Sequence, residues 1–234
     1  LYLSAQTTLP KNGQGHVPFV STVIPYERLV AAVERYAPKA VFESREEYLP
    51  CSVEDFLKAT GPAPNNGLQI KDEGIRKGNL ANAKAYVNIV IGESTSDIQY
   101  WFLYGYNGPG TAYLKKLNLA YSPDSPDEFG RYQNVGDFLM TPAGQHEGDW
   151  EHITVRIRND DGEAQEVYFA AHSEGETKKY PEAVKDGMIT FHASRNGHAA
   201  YASADRQYSV TKKFGILEFR LLDDTEKPGQ TFVS

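Results

Sequence analysis

The sequence predicts a mainly β protein with α+β character at its N-terminus: an antiparallel β-sandwich with short N-terminal helices and a long inserted loop. Period-two apolar alternation begins at residue 84 and returns in short runs as far as residue 222. Gly, Pro and charged residues separate those runs, the punctuation of an all-β chain. Aromatic residues make up 12% of the chain and include 15 Tyr, which suit strands better than helices. A chain of 234 residues exceeds the common domain size, yet sandwiches of this length fold around one core. One domain over 1–234 is expected, with 1–83 as a lead-in and helical layer and 84–234 as the sandwich core.

Taken in order, residues 1 to 22 mix Ser, Thr, Gly, Lys and Pro without periodicity and read as an extended lead-in. Pro25 suits a first helical position, and Leu29, Val30, Val33 and Tyr36 follow at helical spacing, so a helix is expected over 25–37. Ser52 caps a second short helix through Phe56, Leu57 and Ala59, with Asp55 at the reciprocal position and Gly61-Pro62 ending it. Residues 61 to 68 read as a loop. Strands are expected at 85–91 and 98–106, where Tyr100, Phe102, Tyr104 and Tyr106 share one face, a stripe that suits a core better than a sugar platform. Residues 107 to 147 are rich in turn residues, with a short apolar stretch near 112–121, and form the inserted loop. Further strands are expected at 151–158, 166–171, 188–193 and 215–222.

Composition excludes several classes of function. A net charge of −7 argues against a nucleic-acid partner, because binding to phosphates rests on clustered Lys and Arg. No apolar run is long enough to span a bilayer as a helix, which leaves peripheral contact as the form of membrane association. The opening residues show neither the charged n-region nor the apolar core of a signal peptide, and a leader removed beforehand is compatible with that. The single Cys51 forms no internal disulfide and, following Leu49-Pro50, reads as a small buried residue rather than a nucleophile. With no Asn-x-Ser/Thr acceptor, this slightly favours a reducing compartment. Oligomeric state is not legible.

The densest chemistry lies in Gly144-Gln145-His146-Glu147-Gly148-Asp149-Trp150-Glu151-His152, directly ahead of Ile153, Val155 and Ile157. If the strand starts near Asp149, the carboxylates of Asp149 and Glu151 point to the same side as that apolar trio. Carboxylates facing a core are unfavourable unless protonation, a basic partner or a metal ion neutralises them, and no basic residue is adjacent on that face. His146 lies three residues before Asp149 across a glycine, so its imidazole and the two carboxylates can converge on one divalent ion. Carboxylates favour calcium or magnesium, and a histidine ligand admits manganese or zinc. The plain alternative is a polar strand entrance with solvated charges.

The other histidines carry weaker signals. His172, in Ala171-His172-Ser173, and His198, in Asn196-Gly197-His198, each stand where a strand gives way to a loop, a frequent place for site residues. A hydrogen-bonding or capping role suits the first equally, and a solvated loop position the second. With His152, they are the candidates for a general acid or base. His192 alternates into a strand between Phe191 and Ala193 and reads as structural. Asp124, Asp127 and Glu128 can bind calcium but read more simply as a solvated acidic loop.

Four ordered segments, Tyr100 to Gly108, His146 to His152, Ala171-His172-Ser173 and Gly197-His198-Ala199-Ala200-Tyr201, resemble the vacuolar protein sorting-associated protein 62 family over roughly residues 84 to 205. The central segment is also similar to the heptapeptide Gly-His-Arg-His-Asp-Trp-Glu of the necrosis- and ethylene-inducing peptide-like proteins. Those are secreted β-sandwich cytolysins that bind a divalent metal and recognise sphingolipid glycan heads. This second resemblance implies His146, Asp149 and Glu151 as metal ligands, with Asp137 or Asn107 in the place of a further Asp, and a secreted or endomembrane location. Glu147-Gly148 replaces Arg-His, so the resemblance bears on the metal site more than on the cytolytic activity. Three functions follow as expectations: a metal-dependent module that binds a glycan or glycolipid head group, a metal-dependent hydrolase, or a sorting or scaffold protein with a structural ion.

Overall fold

Pro25 suits the start of a helix because its fixed φ matches the first turn and its missing N–H leaves no donor unsatisfied. The computed structural model describes residues 3–7, 24–62, 68–117, 132–172 and 174–234, and in it Pro25 stands at the N-cap of α1 (Tyr26–Arg35). Leu29, Ala32 and Val33, on one side of that helix, are buried. Ser52 caps α2 (Val53–Ala59), its hydroxyl accepting a hydrogen bond from the Asp55 amide at 3.1 Å. The short helices α3 (Glu73–Lys77) and α4 (Tyr180–Ala183) offer too few residues for a periodic signal. Much of the lead-in and of the loop at 61–68, together with Asp124, Asp127 and Glu128, lies outside the described residues.

In chain order the strands begin with β1 (Leu3–Thr7), β2 (Lys39–Glu43), β3 (Pro50–Cys51), β4 (Thr60–Pro62), β5 (Leu68–Ile70) and β6 (Ala85–Ile91). They continue with β7 (Thr95–Asn107), β8 (Thr111–Leu117), β9 (Tyr132–Leu139), β10 (His146–Arg158), β11 (Ala164–Ala171) and β12 (Glu174–Lys179). The last six are β13 (Val184–Lys185), β14 (Met188–Ala193), β15 (Ala200–Tyr201), β16 (Arg206–Phe214), β17 (Leu217–Asp224) and β18 (Pro228–Val233). The largest sheet runs β1-β6-β7-β10-β11-β12, with β3 also on β7; a second runs β13-β14-β2-β18, with β15 on β14; a third runs β16-β17-β8-β9. Pairing is antiparallel except for β1 on β6 and β2 on β14.

The two larger sheets form the sandwich, with α1 closing one side. Val87, Ile89, Ile98, Tyr100, Phe102 and Tyr104 from the large sheet join Ile153, Val155, Ile157, Val167 and Phe169 in one buried cluster. Ala40, Phe42, Ile189 and Phe191 of the second sheet complete it. Phe102 meets Phe191 at 5.2 Å between ring centroids, and the Tyr100 hydroxyl donates to the Val33 carbonyl of α1 at 2.7 Å. Each buried aromatic of this size contributes on the order of 2 kcal/mol through the surface it removes from water. On the outer face, Phe56 of α2 and Ile70 of β5, with Ile75 of α3 packed against them, cover Leu103 and Cys51.

The inserted segment at 107–147 is more regular than its composition suggests. β8 and β9 pair within it, and β16 and β17 complete their sheet, with the apolar run Ala112-Tyr113-Leu114 of β8 at its centre. The short strands β2 and β18 give little pattern of their own: β2 is fixed by its pairing with β14, and the largely exposed β18 adds to the other edge of β2.

Candidate functional site

β10 extends to His146 and lies antiparallel to β7, which sets Asp149 opposite Tyr104, Glu151 opposite Phe102 and His146 opposite Asn107. Ile153, Val155 and Ile157 are buried, and Asp149 and Glu151 continue the same alternation toward the sandwich interior. Gly148 interrupts the strand in the left-handed region, at φ +70, beside the Phe56 ring.

Chain segments far apart in sequence close on those carboxylates. The loop between β14 and β15 carries Asn196 and His198, both left-handed at φ +65 and +56, a conformation that non-glycine residues hold only where the surroundings enforce it. The enforcement is visible: the Gly108 amide donates to the Asn196 carbonyl at 3.0 Å, the Asn196 side chain donates to the Pro109 carbonyl at 2.8 Å, and the Asn196 amide donates to Glu46. The loop thereby presents His198, 0% exposed, with its ring stacked on Tyr104 at 3.8 Å and 8°. Its Nδ1 lies 3.0 Å from Asp149 Oδ2, and its Nε2 lies 3.7 Å from Glu46 Oε1, an ion-pair distance without a hydrogen bond.

A second histidine stands at the end of β11. His172, left-handed at φ +53, places Nε2 2.9 Å from Asp223 Oδ2, which also accepts from the Tyr201 hydroxyl at 2.9 Å. Burial alone would depress the pKa of His198, but Asp149 and Glu46 outweigh it and raise the value to about 9. For Glu151 burial and the charge of Asp149 prevail over the opposing pull of His198 and His172, and the carboxyl is pushed up to about 8. The hydrogen bond with Asp223 raises His172. The Tyr104 hydroxyl is fully buried without a hydrogen-bond partner, and burial with the charges of Glu151, Asp149 and Glu46 drives its pKa well up. The cluster is thus acidic, partly buried and holds two polar groups without hydrogen-bond partners.

The structure gathers Asp149, Glu151, His198 and His172 at this end of the sandwich and places the remaining candidates elsewhere. His146 is exposed, its Nδ1 3.1 Å from the Gly148 carbonyl. Among the described residues no three His, Cys, Asp or Glu side chains form a closed ligand set. Asp137 is engaged by Arg206 at 2.5 Å in the third sheet, and the Asn107 amide donates to the Gly144 and Gly108 carbonyls at 2.6 and 3.1 Å. His152 faces the other side of the sheet, stacked on Trp101 at 4.2 Å, and burial lowers its pKa. His192 is buried against Lys185. Sequence reading missed Glu46, Asp223 and Tyr201: Glu46 sits in a charge run without period, whereas the acidic pair Asp223-Asp224 at a strand end was a usable signal.

Fold and site define a β-sandwich protein with an acidic cluster, joined by His198 and His172, at the end of its largest sheet. A family model for vacuolar protein sorting-associated protein 62 matches residues 64–125 and 129–227, and the chain belongs to that family. The four motifs noted above fall within the matched residues. The vacuolar protein sorting-associated protein 62 of Saccharomyces cerevisiae is 29% identical over 202 residues, covering 68% of this chain and 42% of that protein, so the chain spans less than half the length of this relative. Among solved structures, NLPPya in complex with glucosamine is similar at 13% identity and a TM-score of 0.43, covering 93% of this chain and 77% of its own. Necrosis and ethylene inducing protein 2 from the causal agent of cocoa's witches' broom disease aligns at 14% identity and a TM-score of 0.37, covering 97% and 78%. Likeness this distant carries no ligand across. No helix among the described residues is long and apolar enough to cross a membrane.

Proposed function

We propose that this protein is a divalent-metal-dependent binding protein that grips a polar head group, such as a glycan or glycolipid, in the pocket of Asp149, Glu151 and His198. One observation carries the reading: the Tyr104 hydroxyl and His198 Nε2, both fully buried and without hydrogen-bond partners, lie among the carboxylates of Glu46, Asp149 and Glu151. Buried polar atoms are almost always satisfied, and buried carboxylates need a counter-charge, so the pocket has the chemistry of a site that is completed by a ligand. Asp149 and Glu151 would hold the ion, with His198 as the nearest imidazole; the donors suit calcium or magnesium and admit manganese or zinc. A bound ion would supply positive charge and open positions for head-group hydroxyls or phosphate. His198 is held by Tyr104 and Asn196, and the half-exposed His172 stands at the mouth to donate to ligand oxygens. The head-group class rests on the similarity of the His146–Glu151 segment to the necrosis-inducing proteins.

Calorimetric titration of chelator-treated protein with calcium and manganese tests this. Binding of one ion is expected, lost in Asp149→Asn and Glu151→Gln, and glycan binding is expected only with the ion present. Absence of ion binding by the folded parent would overturn the reading. The His172–Asp223 pair favours a second one, a hydrolase in which His172 carries the proton while Asp223 orients its ring. Metal-dependent turnover of a glycosyl or phosphoryl ester, abolished by His172→Ala, would select it.

A further inference from the structure

The third sheet ends in a hairpin tip that the pocket does not use. β16 and β17 turn at Gly215, left-handed at φ +57, and Phe214, Ile216 and Leu217 around that turn are 66%, 40% and 37% exposed. Phe214 pairs directly with Leu217, so both side chains leave the same face, which continues inward through Phe219 to Phe138 at 5.7 Å. Lysines surround this apolar tip. Lys116 of β8 is in register with Leu217, Lys115 with Glu218, and Lys212 and Lys213 with Phe219 and Glu218. The acidic residue among them, Glu218, is buried between Arg220 at 2.5 Å and Lys213 at 3.8 Å, so one carboxylate faces Arg220 and the four lysines and leaves the collar net positive. The whole chain carries −7, and this concentration of cations is therefore local.

We propose that the β16–β17 hairpin is a membrane-docking tip, which inserts Phe214, Ile216 and Leu217 at the headgroup boundary of an anionic bilayer while Lys115, Lys116, Lys212 and Lys213 meet lipid phosphates. Charge complementarity commits the surface to that occupant: apolar side chains at the extremity with a ring of cations one to three residues behind match the layering of an anionic leaflet. A narrow convex turn offers far less area than a stable protein interface buries, but enough to enter a bilayer surface. The geometry also links the two ends of the molecule. β17 runs from Leu217 at the tip to Asp223 in the pocket, six residue steps or about 20 Å, so docking would hold the acidic pocket at a fixed height above the lipid. The inference stands independently of what the pocket binds.

Co-sedimentation of the whole chain with phosphatidylcholine vesicles, with and without phosphatidylserine, tests the proposal. Binding is expected only with phosphatidylserine, weakened severalfold at about 0.5 M salt, and reduced at least about tenfold in Phe214→Ser/Ile216→Ser and in Lys212→Glu/Lys213→Glu. Phe214→Trp provides a readout that survives any loss of fold in the charged variants: its emission, measured against the parent, is expected to shift to the blue with anionic vesicles alone. Equal sedimentation with neutral and anionic vesicles, tip variants that bind like the parent, or unchanged tryptophan emission would each overturn it. So would a tip-dependent dimer that binds no vesicles, which would assign the face to a second copy of the chain.

Discussion

His192 shows how burial and neighbouring charge together set one residue's chemistry. It is 7% exposed, and Lys185 Nζ lies 3.2 Å from its Nε2. Burial, then Lys185 and Lys39, lower its pKa to about 4. A neutral ring can accept from the ammonium; a protonated one cannot. Because the folded pKa lies below the unfolded value of about 6.5, the stability it supports is full above that pH and is lost as pH falls toward 4. In His192→Gln the denaturation midpoint should fall less steeply between about pH 6.5 and 4 than in the parent; parallel profiles would remove His192 from the acid response. At the same scale, His146 shows the limit of reading by spacing, since its ring lies against its own strand's Gly148 carbonyl.

At the scale of an element, β10 is both a core strand and the floor of the pocket, and Gly148 makes that double duty feasible. Strand alternation fixes Ile153, Val155 and Ile157 on the inner face, and the same period carries Asp149 and Glu151 into the acidic cluster. A side chain at Gly148 would occupy a φ of +70 and place its Cβ 3.0 Å from the Phe56 ring. Gly148→Ala should therefore lower stability by about 1–2 kcal/mol in chemical denaturation, and it should weaken cation binding by moving Asp149. A variant as stable as the parent would mean that α2 yields freely. The facing strand β7 has the matching constraint at Gly105, where a Cβ would meet the Ile75 carbonyl at 2.4 Å.

For the whole molecule, the cluster joins β7, β10, β11, β15, β17 and the loops after β2 and β14, so an ion held there would clamp segments from Glu46 to Asp223. A ligand that binds only the folded state stabilises it by mass action, about 2.7 kcal/mol at a hundredfold excess over Kd. Saturating calcium or manganese should raise the Tm of chelator-treated protein by several degrees, and Asp149→Asn should abolish the increase. An unchanged Tm in both would leave the cluster to be neutralised by protons alone, consistent with the raised Glu151 pKa of about 8.

Local pattern alone determined the fold class, most of the central strands, the first two N-terminal helices and the inward face of Asp149 and Glu151. The reason is that the period of a strand's side chains and the capping of a helix are both decided within a few residues. The tertiary structure decided the rest. β2 is a strand because β14 and the core accept it, and β18 because β2 offers it an edge, not because of their composition. Glu46, Asp149, His172, His198 and Asp223 share one end of the molecule because register and sheet packing bring segments far apart in sequence together, and no period in the sequence encodes that convergence.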